Sequence, residues 1–344
     1  MPEKLLSICI STYNRRAECI KLIQSIFTLK DNRYNVVVCD DASTDGTVGN
    51  LRELGFPKLD IKVNKRNLGP CRNWYNTINS GTAKYILHVL DRDTLNIMQL
   101  QYLLELLEKY DISGGYIGMA AIESVPNRII GKKTYMYNKG EEAFLYMGAI
   151  PVHPTGFIVR RQYWEQCQFK KYFYQIEKYG IYPHSYVMAH MALRGDMIYV
   201  RSDFCSYKYV GKNSRSRFYQ FYKAGHEFWW TPESVLKVAV KLVIYLYPYA
   251  GTAYQDNFIV RRFGEGLYRA TMSYRETLKN KEEMSHYGLT TKKISNMELF
   301  MIGIWYYFAF CSVLEKVYAD DSKQIKIALR RNWKKIMTGI WKNL

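Results

Sequence analysis

Between residues 5 and 95, apolar runs of six or seven residues alternate with segments of helical periodicity, which leaves the chain few ways to fold. The runs are "LLSICI" (5–10), "YNVVVC" (34–39), "LDIKVN" (59–64) and "KYILHVL" (84–90). Between them, "RRAECIKLIQSIFTL" sets Cys19, Ile23, Ile26 and Phe27 on one helical face. "TDGTVGNLREL" gives a second helix with Thr44 or Asp45 as its cap, and "PCRNWYNTINSG" a third. Strands joined by helices of this length are parallel, reached by right-handed crossovers, and covered on both faces. The fold class is therefore α/β.

In such sheets a ligand lies beyond the carboxyl ends of the strands. That edge receives "STYN" (11–14), "DDASTDGT" (40–47), "NKRNLG" (64–69) and "LDRDT" (90–94). Ser43, Thr44 and Asp45 suit a turn or helix cap equally well. Asp40, Asp41, Asp91 and Asp93 are different, because carboxylate pairs at strand ends repel unless a cation or hydrogen-bond donors offset them.

Four elements in this order, "STYNR" (11–15), "CDDASTDGT" (39–47), "NKRNLGPCRN" (64–73) and "LDRDT" (90–94), resemble the family 2 glycosyltransferases, which move a sugar from a nucleotide diphosphate donor. The resemblance implies a GT-A fold: Rossmann-like, with a mostly parallel central sheet and helices on both faces. It also implies a donor site of Thr12, Tyr13, Asn14, Asp40, Asp41, Arg66, Asn67, Asp91, Arg92 and Asp93. Tyr13 then lies near the base, Asp41 accepts from the base imide N–H, and Asp40 supports the loop or the ribose. Lys65, Arg66 and Asn67 offer base or ribose contacts. In the Asp91-Arg92-Asp93 element, Asp93 binds Mn²⁺ or Mg²⁺, and Asp91 contacts ribose or a metal-bound water as the second metal-site carboxylate. Hard oxygen ligands hold such a cation against phosphates whose charge grows as the glycosidic bond breaks. Arg92 departs from the small or acidic residue usual at that place, and touches a phosphate or points away.

The resemblance further implies that the second half shapes the acceptor side and brings its residues close to the sugar. "HPTGFIVRRQYWEQC" (153–167) reads as a strand entering a helix, with His153, Thr155 and Gly156 close to the transferred sugar; a turn role suits His153 as well. An inverting transferase needs a base for the acceptor hydroxyl. Relatives place a Glu-Asp pair before a glycine and a strand, where this sequence has His184 and Ser185. The expectation is His184 as base, with Asp196 and Glu177 as substitutes. "YKYVGKNSRSRFYQ" (207–220) reads as a lid carrying Lys212, Arg215 and Arg217, without the metal-binding His of many relatives.

Charge is uneven: residues 201–344 hold 24 Lys/Arg against 12 Asp/Glu, two thirds of the net +18. That favours an anionic partner. The seven cysteines show no paired short spacing, so they read as buried thiols of a reducing compartment. No secretory leader pattern opens the sequence. Residues 234–254 and 299–314 are the most apolar stretches. The second, with 16 residues, falls short of the roughly 20 a span needs, and both read as buried helices of a C-terminal bundle. In "IKIALRRNWKKIMTGIWKNL" (325–344), Leu329, Trp333, Ile336, Ile340 and Leu344 form a stripe against cations on the other faces, with no acid. By pattern this is an interfacial amphipathic helix.

The expectation assembled from these readings is a donor half (1–110), an acceptor half (111–225) and a helical basic region (226–344). The enzyme is cytoplasmic and peripherally attached to the inner face of the membrane. It transfers sugar from a UDP-type donor to a glycan or lipid-diphosphate-linked acceptor in envelope polysaccharide synthesis, and the reading leaves homo-oligomer assembly open. A nucleotidyltransferase acting on a sugar phosphate would want glycines after the first strand, which "STYNRR" lacks. Nucleic acid is not expected as a partner, because cations beside an apolar stripe suit a bilayer better than a phosphate-tracking groove.

Overall fold

The computed structural model describes residues 4–118, 128–148, 153–167, 183–206, 228, 230–250 and 254–341. The chain divides into two compact units, Met1–Lys208 and Tyr209–Leu344.

The first unit begins with the expected alternation: β1 (Leu6–Thr12), α1 (Arg16–Ile26), β2 (Tyr34–Asp40), α2 (Thr47–Glu53), β3 (Leu59–Val63), α3 (Pro70–Asn79) and β4 (Tyr85–Leu90). The cap of α2 differs from expectation. Gly46 occupies that position in a left-handed conformation, while Asp45 accepts from the Thr47 and Arg16 amides. A short β5 (Thr94–Leu95) and α4 (Ile97–Lys109) follow, α4 being capped by Asn96, whose side chain accepts from the Met98 amide. Then come β6 (Gly114–Gly118), β7 (Arg128–Gly131), β8 (Thr134–Tyr137), β9 (Phe157–Arg160), β10 (Met197–Arg201) and β11 (Cys205–Ser206).

Nine described strands form one sheet in the order β3-β2-β1-β4-β9-β6-β10-β8-β7, and β11 pairs with β5. β3, β2, β1 and β4 are parallel, as the crossovers require. β9 enters antiparallel between β4 and β6, and β8 runs against β10 and β7. All other strands of the sheet point one way, so the sheet is mostly parallel in direction, and a single edge collects most carboxyl ends.

Side-chain alternation decides which helices cover which face. Leu6, Ile8 and Ile10 of β1 and Val36 and Val38 of β2 pack under Leu22 and Ile23 of α1 and Leu100, Leu103 and Leu104 of α4. On the opposite face Cys39 meets Ser80 just past α3. There Trp74 of α3 lies edge-on to Trp164 at 5.8 Å and meets Phe157 at 5.9 Å. The expected two-sided cover is present.

The second unit is helical, with long helices Pro232–Leu246, Gln255–Tyr268, Asn296–Val317 and Ser322–Trp341. Gly266 lets two of them close: a Cβ there would lie 1.9 Å from the Tyr306 hydroxyl. Phe263 fills the contact against Phe310 at 5.1 Å and Tyr306 at 5.6 Å. Two expectations reverse here. Part of the stripe of the last helix is turned inward, with Leu329 and Ile336 buried beside Ile325 and Ala328 and the helix packed on Gln255–Tyr268, while Trp333 is exposed. The Ile340 side chain and Leu344 lie outside what is described. Conversely Asn296–Val317, expected in the core, exposes Met297, Phe300, Met301, Trp305 and Phe308.

Candidate active site

The parallel register sets Thr12 beside Asp40 and Asp40 beside Val63, so the loops after β1, β2 and β3 meet at one edge. Cross-bonds fix them. The Asp41 amide donates to Thr12 O (2.9 Å) and the Asn64 amide to Asp40 O (2.9 Å). Asn14, left-handed at φ 49°, donates its amide to Ser43 Oγ (2.8 Å) and accepts from the Thr44 amide (2.8 Å). Tyr13, freed by that turn, is exposed.

Asp40 is buried, with Oδ2 accepting from the Ser43 amide at 2.8 Å. Asp41 is also buried, and both its oxygens are engaged. Oδ1 accepts from Asn64 Nδ2 (2.8 Å) and the Leu68 amide (2.9 Å), and Oδ2 from the Gly69 amide (3.0 Å). In this arrangement Asp41 shapes the 64–69 loop rather than offering a free acceptor. That loop displays Arg66 and Asn67 to solvent.

The "LDRDT" acids part company. Asp91 and Asp93 are 3% and 4% exposed, while Arg92 between them points to solvent. Asp91 Oδ1 is 2.9 Å from an Arg15 guanidinium nitrogen. Burial raises the Asp91 carboxyl above its usual range, opposed by the Arg15 charge. Asp93 faces a different set. Thr155 Oγ1 accepts from the Leu90 amide (2.9 Å) and donates to Asp93 Oδ2. His153 Nδ1 lies 3.6 Å from the same oxygen and accepts from the Thr155 amide at 3.3 Å. Burial pushes Asp93 up to about 6 and His153 down to about 4. His153 is therefore neutral at pH 7, and its Nδ1 lone pair, which takes the Thr155 amide at 3.3 Å, would have to release that bond to ligate a cation.

Cys205 of β11 completes this group. The ligand atoms of Asp93, His153 and Cys205 all lie within 4.8 Å of one another, the one such cluster among the described residues. One oxygen, one imidazole nitrogen and one sulfur suit a borderline ion such as Zn²⁺ better than Mg²⁺ or Mn²⁺, which favour oxygen ligands and water. The donor set thus fits a divalent cation, with Asp91 held by Arg15 instead of standing beside Asp93.

Gly156 holds the 153–156 turn in place. Its φ of +98° is left-handed, and a Cβ would lie 2.0 Å from Ile117 O of β6. Behind it His88, fully buried in β4, bridges Pro154 O and Ser11 Oγ at 3.1 Å each. The carbonyl only accepts, so Nδ1 carries the proton and Nε2 accepts from Ser11. No sequence signal beyond a polar residue in an apolar strand marked His88. Cys205 was read only as an idle thiol, and His153 as an acceptor-side or turn residue.

The base candidates are not gathered here. His184 is 1% exposed in the helix Pro183–Ala192, its ring 6.1 Å from Phe157, and packs as core. Asp196 requires a correction: it opens β10, at the sheet edge opposite Asp91 and Asp93. There it pairs with Arg128 (2.8 Å) and accepts from the Lys139 amide. A residue before a strand of this direction cannot reach the carboxyl edge. Glu177, Lys212, Arg215 and Arg217 lie outside the described residues.

Comparisons with known proteins agree with this edge. Residues 7–168 match the family model described as Glycosyl transferase family 2. An abequosyltransferase, RfbV of Salmonella typhimurium, is 26% identical over 205 residues, 54% of this chain and 60% of that protein. The match therefore spans less than two thirds of that relative. Among solved structures, the mannosyltransferase PcManGT from Pyrobaculum calidifontis in complex with GDP-Man and Mn²⁺ is 12% identical, with a TM-score of 0.48, covering 96% of this chain and 89% of that one. S. aureus TarS 1–349 in complex with UDP is 14% identical, with a TM-score of 0.43 and 89% of each chain covered. The family match takes in β1 to β4, "LDRDT" and the His153–Gly156 turn, so the likeness to glycosyl transferase family 2 is carried by residues 7–168, a little under half of the chain.

Proposed function

We propose that the protein transfers a sugar from a nucleotide diphosphate donor, UDP first among the bases to test, to a glycan or lipid-diphosphate-linked acceptor of the cell envelope, with inversion at the anomeric carbon. The observation that carries this reading is the buried Asp93, with His153 and Cys205, at the carboxyl edge of a family 2 sheet.

Each group then has a task. Tyr13 offers an exposed ring for the base, and Arg66 and Asn67 stand on the loop that Asp41 shapes. Arg15, held by Asp91, and the solvent-facing Arg92 supply positive charge for the diphosphate. Asp93, His153 and Cys205 would hold a divalent cation, Mn²⁺ or Mg²⁺ by the family resemblance, which would neutralise the diphosphate as it departs. Thr155 fixes the Asp93 carboxylate through its bond to the Leu90 amide. His184, the base expected from the sequence, is packed as core and would need to be uncovered to take the acceptor proton. Near-wild-type kcat in His184→Ala, with donor binding intact, would remove it.

Calorimetric titration with UDP, GDP and dTDP, with and without Mn²⁺, tests the donor site in wild type and Asp93→Ala. The expected result is tight binding of one diphosphate that needs both the metal and Asp93. No binding of any of the three would overturn the reading.

A further inference from the structure

Helix Asn296–Val317 is apolar on all sides, and among the described residues only one of its sides is packed. Leu299, Tyr306, Phe310 and Leu314 pack into the unit, whereas Met297, Phe300, Met301, Trp305 and Phe308 follow one another at spacings of 3, 1, 4 and 3 on an exposed face. Phe308 is 66% exposed and Met297 69%. Scattered exposed apolar residues are ordinary, but a continuous aromatic stripe on one helix marks a contact surface.

Two further features lie against that stripe. Phe300 and Phe308 also line a cavity of about 400 Å³, closed by Leu267, Met272 and, from the last helix, Trp333 and Arg330. Its walls are almost wholly apolar, with the Arg330 guanidinium as a charged member. The last helix itself, Ser322–Trp341, carries six Lys/Arg and no acid. Arg330, Arg331, Lys334 and Lys335 are exposed on it, and by helical spacing Arg330 neighbours both Trp333 and Lys334.

Charge selects the occupant. The unit holds 22 Lys/Arg against 11 Asp/Glu, so two copies brought together on this face would repel, whereas an anionic lipid surface would attract. Length alone would let the helix cross a bilayer, since 22 residues rise about 33 Å. Its other face forbids that. Crossing would strip Tyr306 and Phe310 from a bundle that also buries Arg262 beside Glu265 at 3.0 Å. A helix apolar on its outer side, tied to a charged bundle on its inner side, lies in the interface plane.

We propose that the Phe300–Trp305–Phe308 face of Asn296–Val317 docks flat on an anionic phospholipid bilayer, with Arg330 and Lys334 against the headgroups and the neighbouring cavity taking one acyl chain. This contact replaces the last helix's own stripe, whose Leu329 and Ile336 the protein covers. It does not depend on the donor-site reading, because its residues all belong to the second unit.

The test is co-sedimentation of the full chain, without nucleotide, with phosphatidylcholine vesicles that contain or lack phosphatidylglycerol. Wild type should pellet only with the anionic vesicles, and salt should weaken the binding. The double variant Phe300→Asp/Phe308→Asp, whose sites are exposed and whose fold is checked by circular dichroism, should bind at least about tenfold more weakly. Brominated lipid should quench wild-type tryptophan fluorescence, and less so in Trp305→Phe. Absence of pelleting, or binding unchanged in the double variant, overturns the proposal. So does a concentration-dependent dimer in sedimentation velocity that the double variant abolishes, which would assign the face to a second copy.

Discussion

Asp93→Asn should make the metal-free protein more stable at neutral pH, although it removes the group on which the proposed donor site depends. An unfolded Asp titrates near 3.8, whereas burial lifts native Asp93 to about 6 against the opposing Thr155 bond. Between those values the native state holds the extra proton, so folding stability falls as pH rises from 3.8 and the loss is complete above 6. At about 1.4 kcal/mol per pH unit, the gap corresponds to about 3 kcal/mol. Asparagine keeps the shape and an oxygen for the Thr155 hydroxyl, and carries no charge to bury. In chelator at pH 8 the variant should therefore melt higher by roughly 6–12 °C, taking about 2–4 °C per kcal/mol for a domain of this size. Near pH 4 the difference should vanish. Mn²⁺ at about a hundredfold over its Kd should stabilise wild type alone by about 2.7 kcal/mol and close most of the gap. Thermal melts of both proteins from pH 4 to 8, with chelator and with Mn²⁺, supply the data. A variant less stable than wild type at pH 8 in chelator, or a difference that does not change with pH, would refute the argument.

Gly156→Ala combines a left-handed φ with a backbone clash, whereas Gly140→Ala meets only the dihedral cost, since nothing lies within 4 Å of its Cβ. Gly140→Ala should lose about 1–2 kcal/mol, and Gly156→Ala clearly more together with Asp93-dependent metal binding. Equal losses in urea unfolding would remove the special role of Gly156. Burial holds His88, His153 and His190 at about 4, so the unfolded chain takes up protons first as pH falls below 6.5 and native stability declines from there to 4. His88→Gln should flatten that limb by up to about 3 kcal/mol between pH 7 and 4.5, and an unchanged slope would show that His88 is not buried neutral.

The carboxyl edge was legible because two local signals coincide there: apolar runs of strand length, and acids where each run stops. Parallel pairing then follows from connection length alone, and with it the meeting of Thr12, Asp40 and Asp91 at one edge. The partners of Asp93 were not legible. His153 and Cys205 reach it through β9, which inserts antiparallel beside β4, and through β11, a two-residue strand that no periodicity announces. Asp196 failed for a related reason. Counting back from Gly195 found the helix and the strand, but strand direction decides which edge a flanking residue occupies, and direction is a property of the whole sheet.

The second unit shows the same limit in the helical period. Spacing reveals that a helix has an apolar face, but the area available elsewhere in the fold decides whether that face is covered. The last helix has a narrow stripe, whose Leu329 and Ile336 are buried on a helix packed against Gln255–Tyr268, leaving Trp333 and the cations outward. Asn296–Val317 is apolar around its whole circumference, and the bundle has surface for only one side of it. The more amphipathic helix is therefore the one the protein can satisfy by itself. The uniformly apolar one is left with a face exposed, beside the unit's densest run of positive charge.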